Sequence, residues 1–153
     1  MGIRMTTKLS EVHDMLMREA ERVERLTIRA LSKLGEQCVT KIRDRAGDKS
    51  WYDQTGNLRS SVGYVIAHNK NIIQYSTFNQ VKQGSEGVKT GKDLAKELAK
   101  RYSNNYVLIV VAGMNYAEFV EAMDNKDVLA STALWAREQV PLMLEKLKRQ
   151  IAK

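Results

Sequence analysis

From about Thr7 to Arg45, apolar side chains recur at steps of three or four: Leu9, Val12, Leu16, Ala20, Val23, Leu26, Ala30, Leu34 and Cys38. That spacing draws a single stripe along one long helix, with Glu19, Glu21, Arg22, Glu24, Arg25 and Arg29 on its other faces. Glu21 and Arg25 stand at the i,i+4 spacing that supports a helix surface. A chain that commits this much of its length to one amphipathic rod must build its remaining core against the rod. Gly35 lies inside the stripe. Glycine costs ~1 kcal/mol relative to alanine in a helix interior, so a bend or break is expected there. Gly47 and Asp48 read as the end of the helix.

The period changes after Thr55-Gly56. Val62, Tyr64 and Ile66 alternate with small or polar neighbours, His68-Asn69-Lys70-Asn71 reads as a turn, and Ile72 to Phe78 as a return strand. Residues 79–91 contain three glycines and little to bury, which predicts a mobile Gly/Lys loop before a short helix carrying Leu94, Ala95, Leu98 and Ala99 on one side. Tyr106 to Ala112 is a continuous apolar run, as expected of a central strand covered on both faces. Gly113 then releases the chain. Asn115 with Glu118 fits a capping box for a helix that would present Tyr116, Phe119, Val120 and Met123 on one face. From Leu129 a last helix repeats apolar residues at Ala133, Ala136, Val140, Met143, Leu147 and Ile151. Pro141 lies within it and should kink the helix or start a second one, because proline lacks a backbone donor. The expected architecture is α+β: a long N-terminal helix and a C-terminal helix packed on a small, mostly antiparallel β-sheet. With 153 residues, the chain reads as one domain spanning 1–153, with residues 1–6 as a flexible N-terminus.

Charge is unevenly spread. The net charge is +7. Residues 70–102 hold 7 basic and 3 acidic groups, whereas 103–136 hold 1 and 4. Such asymmetry suits a polyanion partner, a subunit that meets its own copies through opposite charges, or simply a solvated basic face. Lys82, Lys89, Lys92, Lys96, Lys100 and Arg101 are the candidate contacts for assembly or for DNA, through phosphates rather than bases. The single Cys38 cannot form an internal disulfide, and in a helical stripe it reads as a buried small apolar group, suited to a reducing cytoplasm. No run approaches the ~18 apolar residues of a membrane span, so no membrane partner is expected.

Catalytic chemistry finds little support. His13 and His68 fall in different elements, without the convergent donors that a metal site needs, and read as helix surface and turn. Asp53-Gln54-Thr55-Gly56 resembles aspartyl-enzyme motifs, but an inserted or substituted Gln and the lack of identifiable partner groups argue against them. Gly87-Val88-Lys89-Thr90-Gly91-Lys92 is one residue short of a phosphate loop, and Asp93 stands where Ser or Thr is required. Glu118, Glu121, Asp124 and Asp127 fall on the wet side of an amphipathic helix rather than in a two-metal site. Neither enzymatic activity, a metal nor a cofactor is expected.

Two segments about fifty residues apart carry a resemblance. Asp53-Gln54-Thr55-Gly56-Asn57-Leu58-Arg59-Ser60-Ser61-Val62-Gly63-Tyr64 runs from a polar turn into a strand, and Val111-Ala112-Gly113-Met114-Asn115-Tyr116-Ala117-Glu118-Phe119-Val120-Glu121 breaks a strand at glycine. Together, and followed by Asp127-Val128-Leu129, they resemble the neck, tail-completion or head–tail joining proteins of long-tailed phages and prophages. One departure is that Ala122-Met123 follows Glu121, where relatives often carry Gly-Thr. The resemblance implies a non-enzymatic virion protein, made in the bacterial host cytoplasm. It would form or join a ring at the head–tail interface and meet copies of itself, connector or adaptor proteins and tail proteins, with possible non-specific contact with packaged DNA. It implies structural roles for Asp53, Thr55, Gly56, Asn57, Leu58, Arg59, Gly113, Tyr116, Ala117, Phe119, Val120 and Glu121. Arg59 would either pair across a subunit boundary or cap a carboxylate within its own subunit. The alternative function is a sequence-independent DNA-binding accessory protein.

Overall fold

The computed structural model describes residues 1–4, 6–45, 51–103, 105–114, 117 and 127–153. Helix α1 runs without interruption over Leu9–Arg43. The single turn α2 (Asn57–Ser60) leads into strand β1 (Val62–His68), and strand β2 (Asn71–Tyr75) returns beside it. Helix α3 (Ser85–Ala99), strand β3 (Tyr106–Ala112) and helix α4 (Ala130–Ala152) complete the described elements. The sheet is antiparallel in the order β2-β1-β3. The α+β class expected from the sequence is the class observed.

Each face of the sheet has its own cover. Val62, Tyr64 and Ile66 of β1 sit opposite Ala112, Val110 and Leu108 of β3, and all six turn toward α1, where Val39 and Ile42 close the core. The alternate residues Val65, Ala67, Ile109 and Val111 turn the other way, against Ala95 and Ala99 of α3. Strand side chains alternate between faces, so a strand covered on both sides is apolar throughout. Burial is deepest in β1, the central strand, whose Val62, Val65, Ile66 and Ala67 are fully buried. The apolar run of β3 therefore correctly signals two covered faces. Its expected central position is overturned: among the described residues β3 is an edge, paired only with β1.

The hairpin turns on Asn69 and Lys70, at φ of 51° and 68°. Two consecutive left-handed residues give the twist that matches two-residue hairpins. β2 ends at Tyr75 rather than Phe78, and its register shifts once between Ile66 and Ala67 of its partner. Helix α4 packs on α1, where Lys41 Nζ lies 4.6 Å from the centroid of the Trp135 ring. Arg22 donates to the carbonyls of Gln150 (3.3 Å) and Ile151 (2.6 Å), so the end of α4 lies level with Arg22. α4 continues through Pro141, and no second helix starts there.

Two expectations are corrected here. Gly35 does not break α1. A Cβ at this position would stand 2.7 Å from the Tyr64 ring, so the missing side chain lets the helix press flat against that aromatic face. α1 ends at Arg43, whereas Gly47 and Asp48 lie outside the described residues. The segment read as a loop over 79–91 contains the first two turns of α3, which begins at Ser85. Gly87 and Gly91 are buried there because the helix axis runs against the backbone of Asn57 and Ser61, a contact that no larger residue would permit. Asn115, Tyr116, Glu118, Phe119, Val120, Glu121, Met123 and Asp124 lie outside the described residues, so the capped helix read from them stands as an expectation.

Candidate functional site

The corner from Asp53 to Ser61 is assembled almost wholly from backbone groups and short polar side chains. Asp53 is buried, and its carboxylate accepts from the N–H of Gly56 at 3.0 Å and from the N–H of Arg59 at 2.8 Å. These bonds close the approach to α2, as a carboxylate at a helix start does when it satisfies free donors. Gly56 sits at φ +82°, and a Cβ there would collide with the carbonyl of Val81. Thr55 Oγ1 accepts from Asn57 N–H at 3.3 Å, and the Thr55 carbonyl accepts from Gln83 N–H at 3.1 Å. Asn57 reaches α3, its Oδ1 accepting from Gly87 N–H at 3.1 Å, while Leu58 is buried in the core against α1.

Arg59 ties the corner to the end of α1. Its guanidinium donates to the carbonyl of Arg43 at 3.3 Å and to that of Trp51 at 3.4 Å, and it stacks 4.9 Å from the centre of the Trp51 ring. Among the described residues it caps carbonyls of its own chain, including one left over at the end of α1. The neighbouring Arg43 is held below its ordinary pKa, first by burial and also by the Arg59 charge.

The two segments that carry the resemblance meet here. Gly113 N–H donates to Ser61 Oγ at 3.0 Å and lies 3.3 Å from the Ser61 carbonyl, and a side chain on Gly113 would collide with the backbone of Gly91. Ala117 is buried in the core, its N–H donating to the Met114 carbonyl at 3.0 Å. One packed junction therefore joins α2, α3 and the end of β3.

The basic candidates divide into three groups. Lys82 Nζ donates to the Asp53 carbonyl at 2.7 Å and sits over the Tyr52 ring, so it belongs to the corner rather than to a free basic surface. Arg101 forms an exposed pair with Glu97 at 3.0 Å just past the end of α3. Lys89, Lys92, Lys96 and Lys100 are all exposed, and their steps of three and four place them on one ridge of α3.

Two side chains gained roles that the sequence reading missed. Asp127 is not on a wet helix face: it pairs with Arg45 at 2.9 Å, with both side chains nearly buried. Arg45 also donates to Thr132 Oγ1 at 2.9 Å, tying the end of α1 to the start of α4. Burial alone would raise the Asp127 pKa. The Ser131 hydrogen bonds and the Arg45 charge outweigh it, and the carboxyl is held below its ordinary value. Tyr64 donates to Glu36 Oε1 at 3.0 Å, and burial together with that carboxylate pushes the phenol pKa up. His68 ends β1, stacked on Tyr106 with centroids 4.1 Å apart, while His13 is on the exposed surface of α1. Cys38 is buried, and burial raises its thiol pKa.

Among the described residues, no three His, Cys, Asp or Glu side chains are grouped to hold a metal ion, and no helix is long and apolar enough to cross a membrane. Comparison with protein-family models, with curated proteins and with solved structures gives no match.

Proposed function

We propose that this chain is a structural virion protein of a tailed phage or prophage, forming or joining a ring at the head–tail interface. The observation that carries this reading is apolar surface left exposed on both long helices. Leu9, Met15, Leu16 and Met17 on α1, and Leu134, Leu142 and Leu144 on α4, are all exposed. Scattered exposed apolar residues are ordinary, but a run of them on a helix that reaches past its own core marks a surface built for association. The convergence of the resembling segments on one hydrogen-bonded junction supports a structural role for Asp53, Arg59 and Gly113 over a chemical one. The test is co-sedimentation with purified connectors and tail tubes, alone and after mixing. Retention on either supports a neck role, and passage through both unbound overturns it.

The Lys89, Lys92, Lys96 and Lys100 ridge favours a second reading, sequence-independent contact with DNA. Four aligned cations would track phosphates and release counterions, so affinity should fall steeply with salt. A filter-binding titration with duplex DNA of unrelated sequences measures this. Equal affinity for all sequences with a steep salt slope supports it, and no retention at low salt removes it.

A further inference from the structure

The first third of α1 is almost uncovered among the described residues, with Tyr106 of β3 bordering a shallow concavity beside Leu16, Glu19 and Ala20. Of residues 9–21 only Val12 is even partly covered, and α4 ends level with Arg22. At 1.5 Å per residue, these residues carry α1 roughly 20 Å past the end of α4. Isolated helices of this length are marginal in water, and this one carries the regular stripe Leu9, Val12, Leu16 and Ala20. Its other faces hold Glu11, Asp14, Glu19 and Glu21 against Arg18, so the projection is acidic within a basic protein.

The complement lies on the same molecule. Between α1 and α4 runs a groove of about 360 Å³, floored by Leu34, Leu142 and Leu147 and rimmed by Arg29, Lys33 and Lys146, with no acidic residue in its lining. A projection cannot enter the groove of its own chain. Both belong to one unbroken helix, and Leu9 and Leu34 are about 37 Å apart along its axis.

We infer that the acidic projection of α1, residues 9–21, docks in the basic, apolar α1–α4 groove of a second copy. The apolar stripe of one chain covers the groove floor of the next. Glu19 flanks that stripe and meets the basic rim, while Glu11, Asp14 and Glu21 on the outer face of the docked helix add attraction through space. The two surfaces are different, so the contact is head-to-tail and repeats from copy to copy until a ring closes or a filament grows. This rests on the ring reading above and assigns the surface through which copies meet.

Two charge-reversed variants test it by analytical ultracentrifugation, with circular dichroism to check that each remains folded. In the first, Glu11→Lys, Asp14→Lys and Glu19→Lys turn the projection basic. In the second, Arg29→Glu, Lys33→Glu and Lys146→Glu turn the groove acidic. Each variant alone should lose self-association by at least about tenfold in dissociation constant. An equimolar mixture should assemble again, because each projection then meets an opposite groove. Starting from +7, both variants remain net positive, so general attraction between them cannot produce the rescue. Wild-type association that neither variant weakens, or a mixture that stays monomeric, overturns the assignment. A wild-type protein that is monomeric alone yet binds purified connectors also overturns it, while leaving the neck reading standing.

Discussion

The two ends of α1 carry the same apolar period and meet opposite fates. In the C-terminal part, Leu34, Cys38, Val39 and Ile42 are buried, Gly35 lies against Tyr64, and Arg59 caps the Arg43 carbonyl. In the N-terminal part, Leu9 and Leu16 lie open to solvent at 77% and 66% exposure. Periodicity records that a helix has an apolar side. It does not record which molecule covers that side, and here the sheet and α4 cover only the later turns.

The largest expected effect falls on the covered part. Gly35→Val would drive a branched side chain into the buried Tyr64 ring, and overpacking of this kind should cost about 3 kcal/mol in urea unfolding. Next is Asp53→Ala, which strips acceptors from the N–H groups of Gly56 and Arg59 in a buried corner. A loss of about 2 kcal/mol in the same measurement is expected. If the Gly35 variant were as stable as the parent, the covered end of α1 would not be the anchor described, and an unchanged Asp53 variant would show that the corner does not depend on its carboxylate.

Asp127→Asn removes the charge that pairs with Arg45 and should cost about 1–2 kcal/mol near neutral pH. The sign of its pH dependence follows from the lowered pKa. The folded protein binds the Asp127 proton more weakly than the unfolded chain does. Its contribution is therefore fully present above the ordinary value of 3.8 and fades as pH falls through the lowered folded value. Thermal melts of the parent and the variant should converge across that acidic window. The smallest stability effect belongs to the open part of α1. Leu16→Ser should change monomer stability by less than about 0.5 kcal/mol while weakening self-association in sedimentation. A large loss of monomer stability would show that this end is covered within the chain after all.

The stripe of α1, the hairpin and the amphipathic α4 were legible because each is a local pattern of three to seven residues that propensity and burial read in the same direction. The Asp53–Arg59 turn could be recognised as a structural corner for a similar reason: a short acid, a glycine and a helix start lie close together in sequence. Gly35, Gly87 and Gly91 misled for one shared cause. A glycine read alone signals freedom or a break, whereas the same glycine beneath an aromatic ring or against a backbone permits contact, and the contacting residue lies far away in sequence. Asp127 escaped for the same reason, since Arg45 is 82 residues away.

Local pattern alone fixed the long first helix, the hairpin, the last helix, the α+β class and the two-sided burial of β3. Those properties depend on neighbouring residues and on the period of the backbone. Packing put β1 rather than β3 at the centre and locked Gly113 onto Ser61. It alone decided that Lys82 belongs to the corner, and that the first turns of α1 project beyond the core. Each depends on which distant groups meet, and that is settled when the chain packs.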